Sequence, residues 1–140
     1  MAEKTERIHK VFLIDDDPMS NLIHQSLLRK YGWEAEVVLF KDGPAALDTL
    51  RAAALKGEPW PEVILLDMEM PVFDGWDFLE AYGQLPESLM ERCLLYLLSS
   101  SINPHDVKRA QTFPLVEAYL TKPLTHSSLR RIGQDYLRLP

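Results

Sequence analysis

The chain is 140 residues long, the size at which one domain buries roughly two-thirds of the surface its unfolded form exposes, so a single core is expected. Hydrophobic residues make up 46% and charged residues 26% of it, which excludes the poorly hydrophobic, highly charged composition of a disordered chain. A formal charge of -6 without a basic patch excludes a nucleic-acid or anionic-membrane surface.

The polar residues Met1 to Lys10 lead into no apolar run of export or membrane-spanning length, so a cytoplasmic chain with no membrane contact is expected. Val11 to Ile14 is a short apolar run that stops at Asp15-Asp16-Asp17. Continuous apolarity of that length predicts a strand covered on both faces. Pro18 suits the first turn of a helix whose expected inward face is Met19, Leu22, Ile23 and Leu27, with Asp17 as its cap and Gly32 as its stop. Ala35 to Phe40 is a weaker strand. Asp42-Gly43-Pro44 opens a second helix, carrying Ala46, Leu47, Leu50 and Ala54 on one face and ending at Gly57.

A stiff loop through Pro59-Trp60-Pro61 precedes the apolar run Val63 to Leu66, which stops at Asp67. A third helix is expected from Trp76 towards Gly83, with Phe78, Leu79 and Tyr82 inward. Leu94 to Leu98 predicts another covered strand, ending at Ser99-Ser100-Ser101. The lone cysteine, Cys93, excludes an intrachain disulfide and a multi-thiolate metal site; beside this strand it reads as a buried, inert thiol. Asn103-Pro104 reads as a cap and first turn for a fourth helix near Val107 and Ala110. Ala118 to Thr121 is a weaker strand before Lys122-Pro123, and Thr125 caps a last helix with Leu129, Ile132 and Tyr136 inward.

Strands alternating with helices imply parallel neighbours joined by right-handed crossovers. The fold class is therefore α/β: a flavodoxin-like (βα)5 doubly wound sheet of five parallel strands in the order 2-1-3-4-5. In such a sheet ligands bind outside the carboxyl ends of the strands, where the strand order reverses. That rule gathers Asp15, Asp16 and Asp67 at one point, with Ser99 and Lys122 beside them. Carboxylates about 4 Å apart repel by roughly 4 kcal/mol per pair at an effective dielectric of about 20. The cluster needs a cation, and a few oxygen ligands open to water fit Mg2+.

The segment Asp67-Met68-Glu69-Met70-Pro71-Val72-Phe73-Asp74-Gly75 resembles the phosphorylation-site signature of bacterial response-regulator receiver domains. Asp15-Asp16 after the first strand, a serine after the fourth and Lys122-Pro123 after the fifth match the same family in order. The resemblance implies that Asp67 accepts a phosphoryl group from a phosphohistidine of a sensor histidine kinase or phosphotransfer protein. It implies Asp16 as a direct metal ligand, Asp15 as an acid acting through water and Glu69 as a ligand through its backbone carbonyl. Ser99 becomes the hydroxyl that follows the phosphoryl group, Lys122 its ammonium partner and Tyr119 the aromatic switch. The Lys122-Pro123 bond is commonly cis in the family. Ser100, one residue along, would face the other way and is the alternative to Ser99.

The expected domain plan is an N-terminal extension over 1–10 and a receiver over 11–138. Only Arg138, Leu139 and Pro140 follow the last helix, so the output is expected to pass to a separate downstream protein from a monomer or weak dimer. Two other readings compete: a docking module that takes no phosphoryl group, and a phosphatase of haloacid-dehalogenase type. The second is disfavoured because its metal-binding acids follow the lysine, whereas here they precede the nucleophile. His9, His24, His105 and His126 are far apart in sequence and are expected on the surface. Trp76, just past Gly75, is expected close to the site.

Overall fold

The computed structural model describes residues 8–139. Five parallel strands, β1 (Lys10–Ile14), β2 (Glu36–Phe40), β3 (Val63–Asp67), β4 (Leu94–Ser99) and β5 (Val116–Thr121), form one sheet in the order β2-β1-β3-β4-β5. Six helices lie among them in the described residues: α1 (Pro18–Tyr31), α2 (Gly43–Lys56), α3 (Gly75–Tyr82), the single turn α4 (Glu87–Met90), α5 (Pro104–Ala110) and α6 (His126–Leu137). The expected order is the one found. β2 and β5 are edge strands, half-exposed rather than fully apolar, which is why their sequence signal is weak and their bounds move by one or two residues. The turn α4 was not foreseen, and no side chain caps it.

Alternation along the central strands divides the core into two layers. Phe12, Ile14, Ile64, Leu66, Leu95 and Leu97 point towards α2, α3 and α5, where Leu47, Leu50, Phe78 and Tyr82 are buried. Val11, Leu13, Val63, Leu65, Tyr96 and Leu98 point the other way, towards Leu28 of α1 and Leu129, Ile132 and Tyr136 of α6. Each such side chain taken from water contributes about 1.5–3 kcal/mol. Ile8 joins the second layer, and the His9 and Lys10 amides both donate to Glu62 Oε1. The chain before residue 11 is therefore packed onto the sheet from Ile8 onward.

Caps follow the sequence closely. Asp17, Asp42, Asp74, Asn103 and Thr125 each accept a hydrogen bond from a first-turn amide of the helix they precede. Gly32 and Gly57 end α1 and α2 at φ of 102° and 67°, a region a side chain enters only with strain. Cys93 is buried as expected, and burial pushes its thiol up to about 12.

Helix α1 departs from expectation. Asn21, His24 and Leu28 are its buried residues, whereas Met19, Leu22 and Ile23 are each more than half exposed. The inward face is polar because it lies over strand ends that offer carbonyls. Asn21 Nδ2 donates to the carbonyls of Asp15 and Phe40 at 3.1 and 3.2 Å, tying β1 to β2. His24, expected on the surface, is buried: its Nε2 accepts from the Leu124 amide at 3.2 Å. Burial, then the Lys122 charge, hold its pKa below the ordinary histidine value, so it sits there as a neutral acceptor.

Candidate phosphoacceptor site

The site forms where the crossovers from β1 and β3 leave the sheet in opposite directions. β1 and β3 are hydrogen-bonded neighbours, with Ile14 opposite Leu66, so the residues that follow them emerge side by side. Carboxylate oxygens of Asp15, Asp16 and Asp67 all lie within 4.8 Å of one another. Asp15 and Asp67 are 3% and 2% exposed, and Asp16 faces solvent. A buried pair of like charges on a rigid sheet is costly unless it is neutralised.

Lys122, from the chain just past β5, supplies part of that neutralisation. Its Nζ lies 2.8 Å from Asp15 Oδ2 and 3.6 Å from Asp67 Oδ1. The peptide bond that follows, Lys122-Pro123, is cis. Burial alone would lower the lysine pKa, but the Asp15 hydrogen bond and the charges of Asp67 and Asp15 carry it above the ordinary value. For Asp15, burial works upward, yet the Lys122 ammonium, the Asp17 amide and the Ser20 hydroxyl outweigh it and hold the carboxyl low. Asp67 is pushed up to about 6, first by burial and then by the Asp15 charge, against the Glu69 amide and Lys122. Lys122 therefore belongs chiefly to Asp15, and Asp67 is left short of positive charge.

The other half of the signature is structural. Asp74 and Asp77 form a reciprocal cap for α3, at 3.0 Å in both directions. Gly75 is buried against Met68, and a Cβ there would come within 2.8 Å of the Met68 Cα as well as striking its sulfur. This close approach folds the loop after β3 back onto the strand end. Val72 at its tip is fully exposed with φ of 68°, an uncommon conformation for a β-branched residue.

The loop also aims the Glu69 side chain across to β4, an arrangement no spacing in the sequence signals. Glu69 Oε1 accepts from Ser99 Oγ at 2.9 Å and from the amide and hydroxyl of Ser100, both at 3.2 Å. The Ser99 hydroxyl, then burial working against it and the two Ser100 donors, leave that carboxyl below its usual value. The Glu69 amide donates to Asp67 Oδ1 at 3.2 Å. Ser99 is buried at the end of β4, opposite Thr121, whereas Ser100 is exposed; the structure thus brings Ser99 to the cluster.

Tyr119 stands half-buried on β5, lining a groove of about 540 Å³ with Ile102, Val107, Ala110 and Phe113. Burial, then the charge of Asp106, raise its phenol above the ordinary value, with the Ser99 hydroxyl working the other way. Trp76 lies under Arg109, 4.4 Å from ring centroid to guanidinium carbon, and 6.0 Å from the Phe113 ring, so its contacts are with α5 and the residues that follow it. His24 and Asn21 are the supporting residues that apolar patterning missed. Their signal was there, since positions 21, 24 and 28 share a helical face as well as the apolar set does.

Residues 11–133 match the response regulator receiver domain, and the chain belongs to that family. A two-component response regulator of Cytophaga hutchinsonii, known from its crystal structure, is 31% identical with a TM-score of 0.86, covering 93% of this chain and 97% of that one. The probable methanogenesis regulatory protein FilR2 of Methanothrix harundinacea is 30% identical over 89% of this chain and 79% of its own length. The response regulator Rcp1 of Synechocystis is 28% identical over 96% of this chain and 90% of its own length. Its Mn(2+)-bound crystal structure superposes with a TM-score of 0.69, over 91% of this chain and 90% of that one. Among the described residues no helix is long and apolar enough to cross a membrane.

Proposed function

We propose that this chain takes a phosphoryl group from a phosphohistidine of a sensor kinase or phosphotransfer protein onto Asp67, in a Mg2+-dependent step, and signals through a protein partner. The observation that carries this reading is the buried Asp67 carboxylate at the β3 end, with two acids beside it and a single ammonium shared mainly with one of them. The donor set fits Mg2+: it is oxygen only, net negative and open to water through Asp16. Asp16, Asp67 and the Glu69 carbonyl would hold the ion directly. Asp15, whose two oxygens already serve the Asp17 amide and Lys122, would act through water. Bound there, Mg2+ supplies positive charge for phosphoryl oxygens in transfer.

In transfer, an Asp67 oxygen attacks phosphorus in line. The new P–O bond forms as the P–N bond to the donor imidazole breaks, and the histidine leaves. Lys122 and the Glu69 amide face the charge that develops, and the Ser99 hydroxyl and Ser100 amide are the remaining donors. Drawing Ser99 towards the new dianion would free the space into which Tyr119 moves, remodelling the face made by α5, β5 and α6. The receiver unit in this reading runs over 11–138 together with Ile8 to Lys10 of the expected 1–10 extension, which pack onto the sheet; it works in the cytoplasm with its kinase and is phosphorylated and dephosphorylated partly by its own residues.

The exposed residues of α1 acquire a purpose here. Met19 and Ile23 line a groove of about 260 Å³ with Ser20, Ser100, Lys122 and Pro123, and in this reading the donor protein lies across them as its imidazole approaches Asp67. Met19, Leu22 and Ile23 together leave an apolar strip open on one helix, and in this reading that strip is a contact surface. Met19→Glu and Ile23→Glu are expected to slow transfer from a phosphohistidine protein by about tenfold or more while labelling by acetyl phosphate, which needs no docking, stays at wild-type rate. Both substitutions sit in solvent, so the fold survives them. Equal slowing with both donors, or with neither, would reject α1 as the donor's landing face; failure of every donor to label the wild-type chain would leave only a docking module.

A further inference from the structure

The cradle that a phosphoryl group on Asp67 would need is occupied by an acid of the chain itself. Glu69 Oε1 takes hydrogen bonds from Ser99 Oγ, the Ser100 amide and Ser100 Oγ. The first two of these are the donors that the β4 end can offer to an anion on Asp67. Ser99 has a single hydroxyl proton, with Glu69 Oε1 at 2.9 Å and the Ser101 carbonyl at 3.0 Å in reach of it. Of the two acceptors the carboxylate holds the proton more strongly because it is ionised. The Ser101 amide donates back to Ser99 Oγ at 3.1 Å, so the serine is clamped with its one proton already engaged. Glu69 itself is exposed and can swing into water without disturbing the core.

From this geometry, and resting on the phosphoacceptor reading above, we infer that the Glu69 carboxylate is a built-in competing anion. It satisfies Ser99 and Ser100 while Asp67 is unmodified and must be expelled before a phosphoryl group can engage them. It acts as a positioning residue with an inhibitory sign. It holds Ser99, and with it the start of the route to Tyr119, in the resting arrangement, and it sets the occupancy the site reaches at a given phosphoryl supply.

Beryllofluoride, a phosphoryl mimic, is the probe, followed by fluorine NMR on the intact chain at saturating Mg2+ for wild type, Glu69→Ala, Glu69→Gln, Ser99→Ala and the Glu69→Ala/Ser99→Ala double variant. Glu69→Ala should bind about tenfold more tightly than wild type, with Glu69→Gln shifted in the same direction. The latch further requires coupling. Ser99→Ala should weaken binding by a larger factor in the Glu69→Ala background than in wild type, because only there is the hydroxyl free before the ligand arrives. Tighter binding with strictly additive effects would reduce Glu69 to simple charge repulsion and overturn the latch, as would variants that bind no more tightly than wild type. Loss of adduct in every chain would overturn the phosphoacceptor reading and the latch together.

Discussion

The Asp67→Asn chain is expected to take no label from acetyl phosphate or phosphohistidine and yet to be the more stable protein. Asp67 is buried beside Asp15, and its carboxyl is raised from 3.8 to about 6. A carboxyl raised on folding contributes stability that is complete below its unfolded value and is lost as pH rises through the folded one. Metal-free wild type should therefore lose stability relative to the asparagine variant from about pH 4 upward, and trail it by about 3 kcal/mol at about pH 8. Asp15, held low by Lys122 and the Asp17 amide against its burial, works in the opposite sense: its contribution is present above its ordinary value and fades as pH falls. Urea unfolding in EDTA at the two pH values, with intact mass after acetyl phosphate, checks both halves. Normal labelling of the variant, or a variant less stable than wild type at the higher pH, would count against the role assigned to Asp67.

Lys122→Ala carries the second large effect, and its sign is the reverse. The ammonium lies 2.8 Å from Asp15 and 3.6 Å from Asp67. Its removal leaves both buried carboxylates facing each other with no cation between them. Removing one partner from a buried charge pair is more damaging than never having had the pair, and a loss of about 2–4 kcal/mol is expected in EDTA. Millimolar Mg2+ should restore much of that loss and stabilise the variant by more than it stabilises wild type, because a cation then replaces the missing charge. Thermal or urea unfolding with and without Mg2+ reads this directly. A variant as stable as wild type in EDTA, or one that gains no more from Mg2+ than wild type does, would show that Lys122 does not neutralise this cluster.

These opposite signs arise from the way a few short apolar runs end. Val11 to Ile14, Val63 to Leu66 and Leu94 to Leu98 were legible as covered strands because both faces of each are buried, and within the flavodoxin-like order 2-1-3-4-5 the meeting of Asp15, Asp16 and Asp67 followed. β2 and β5 were harder to delimit because an edge strand shares its surface with water. Helix α1 was read with the wrong face inward. Met19, Leu22 and Ile23 have the spacing of a core stripe, and spacing cannot distinguish a core from a face kept open beside a site. The true inner face carries Asn21 and His24 because its neighbours are backbone groups, the Asp15 and Phe40 carbonyls and the Leu124 amide. That last contact spans one hundred residues of sequence, beyond the reach of any local pattern. Glu69 was legible as an acid beside the acceptor, but the reach of its side chain to β4 was not, for a related reason. Its link to Ser99 depends on the loop after β3 folding back over Met68, which Gly75 permits and no periodicity encodes.

The central claim is that acids from two neighbouring strand ends share one hard divalent cation and present Asp67 to an incoming phosphoryl group. Phosphorylation of the wild-type chain by acetyl phosphate, followed by borohydride reduction and peptide mapping, tests it most directly when run with Mg2+ and with EDTA. A single reduced residue at Asp67 in Mg2+ and none in EDTA is the predicted result. Modification at any other position, or equal modification of Asp67 when the metal is chelated, would contradict it.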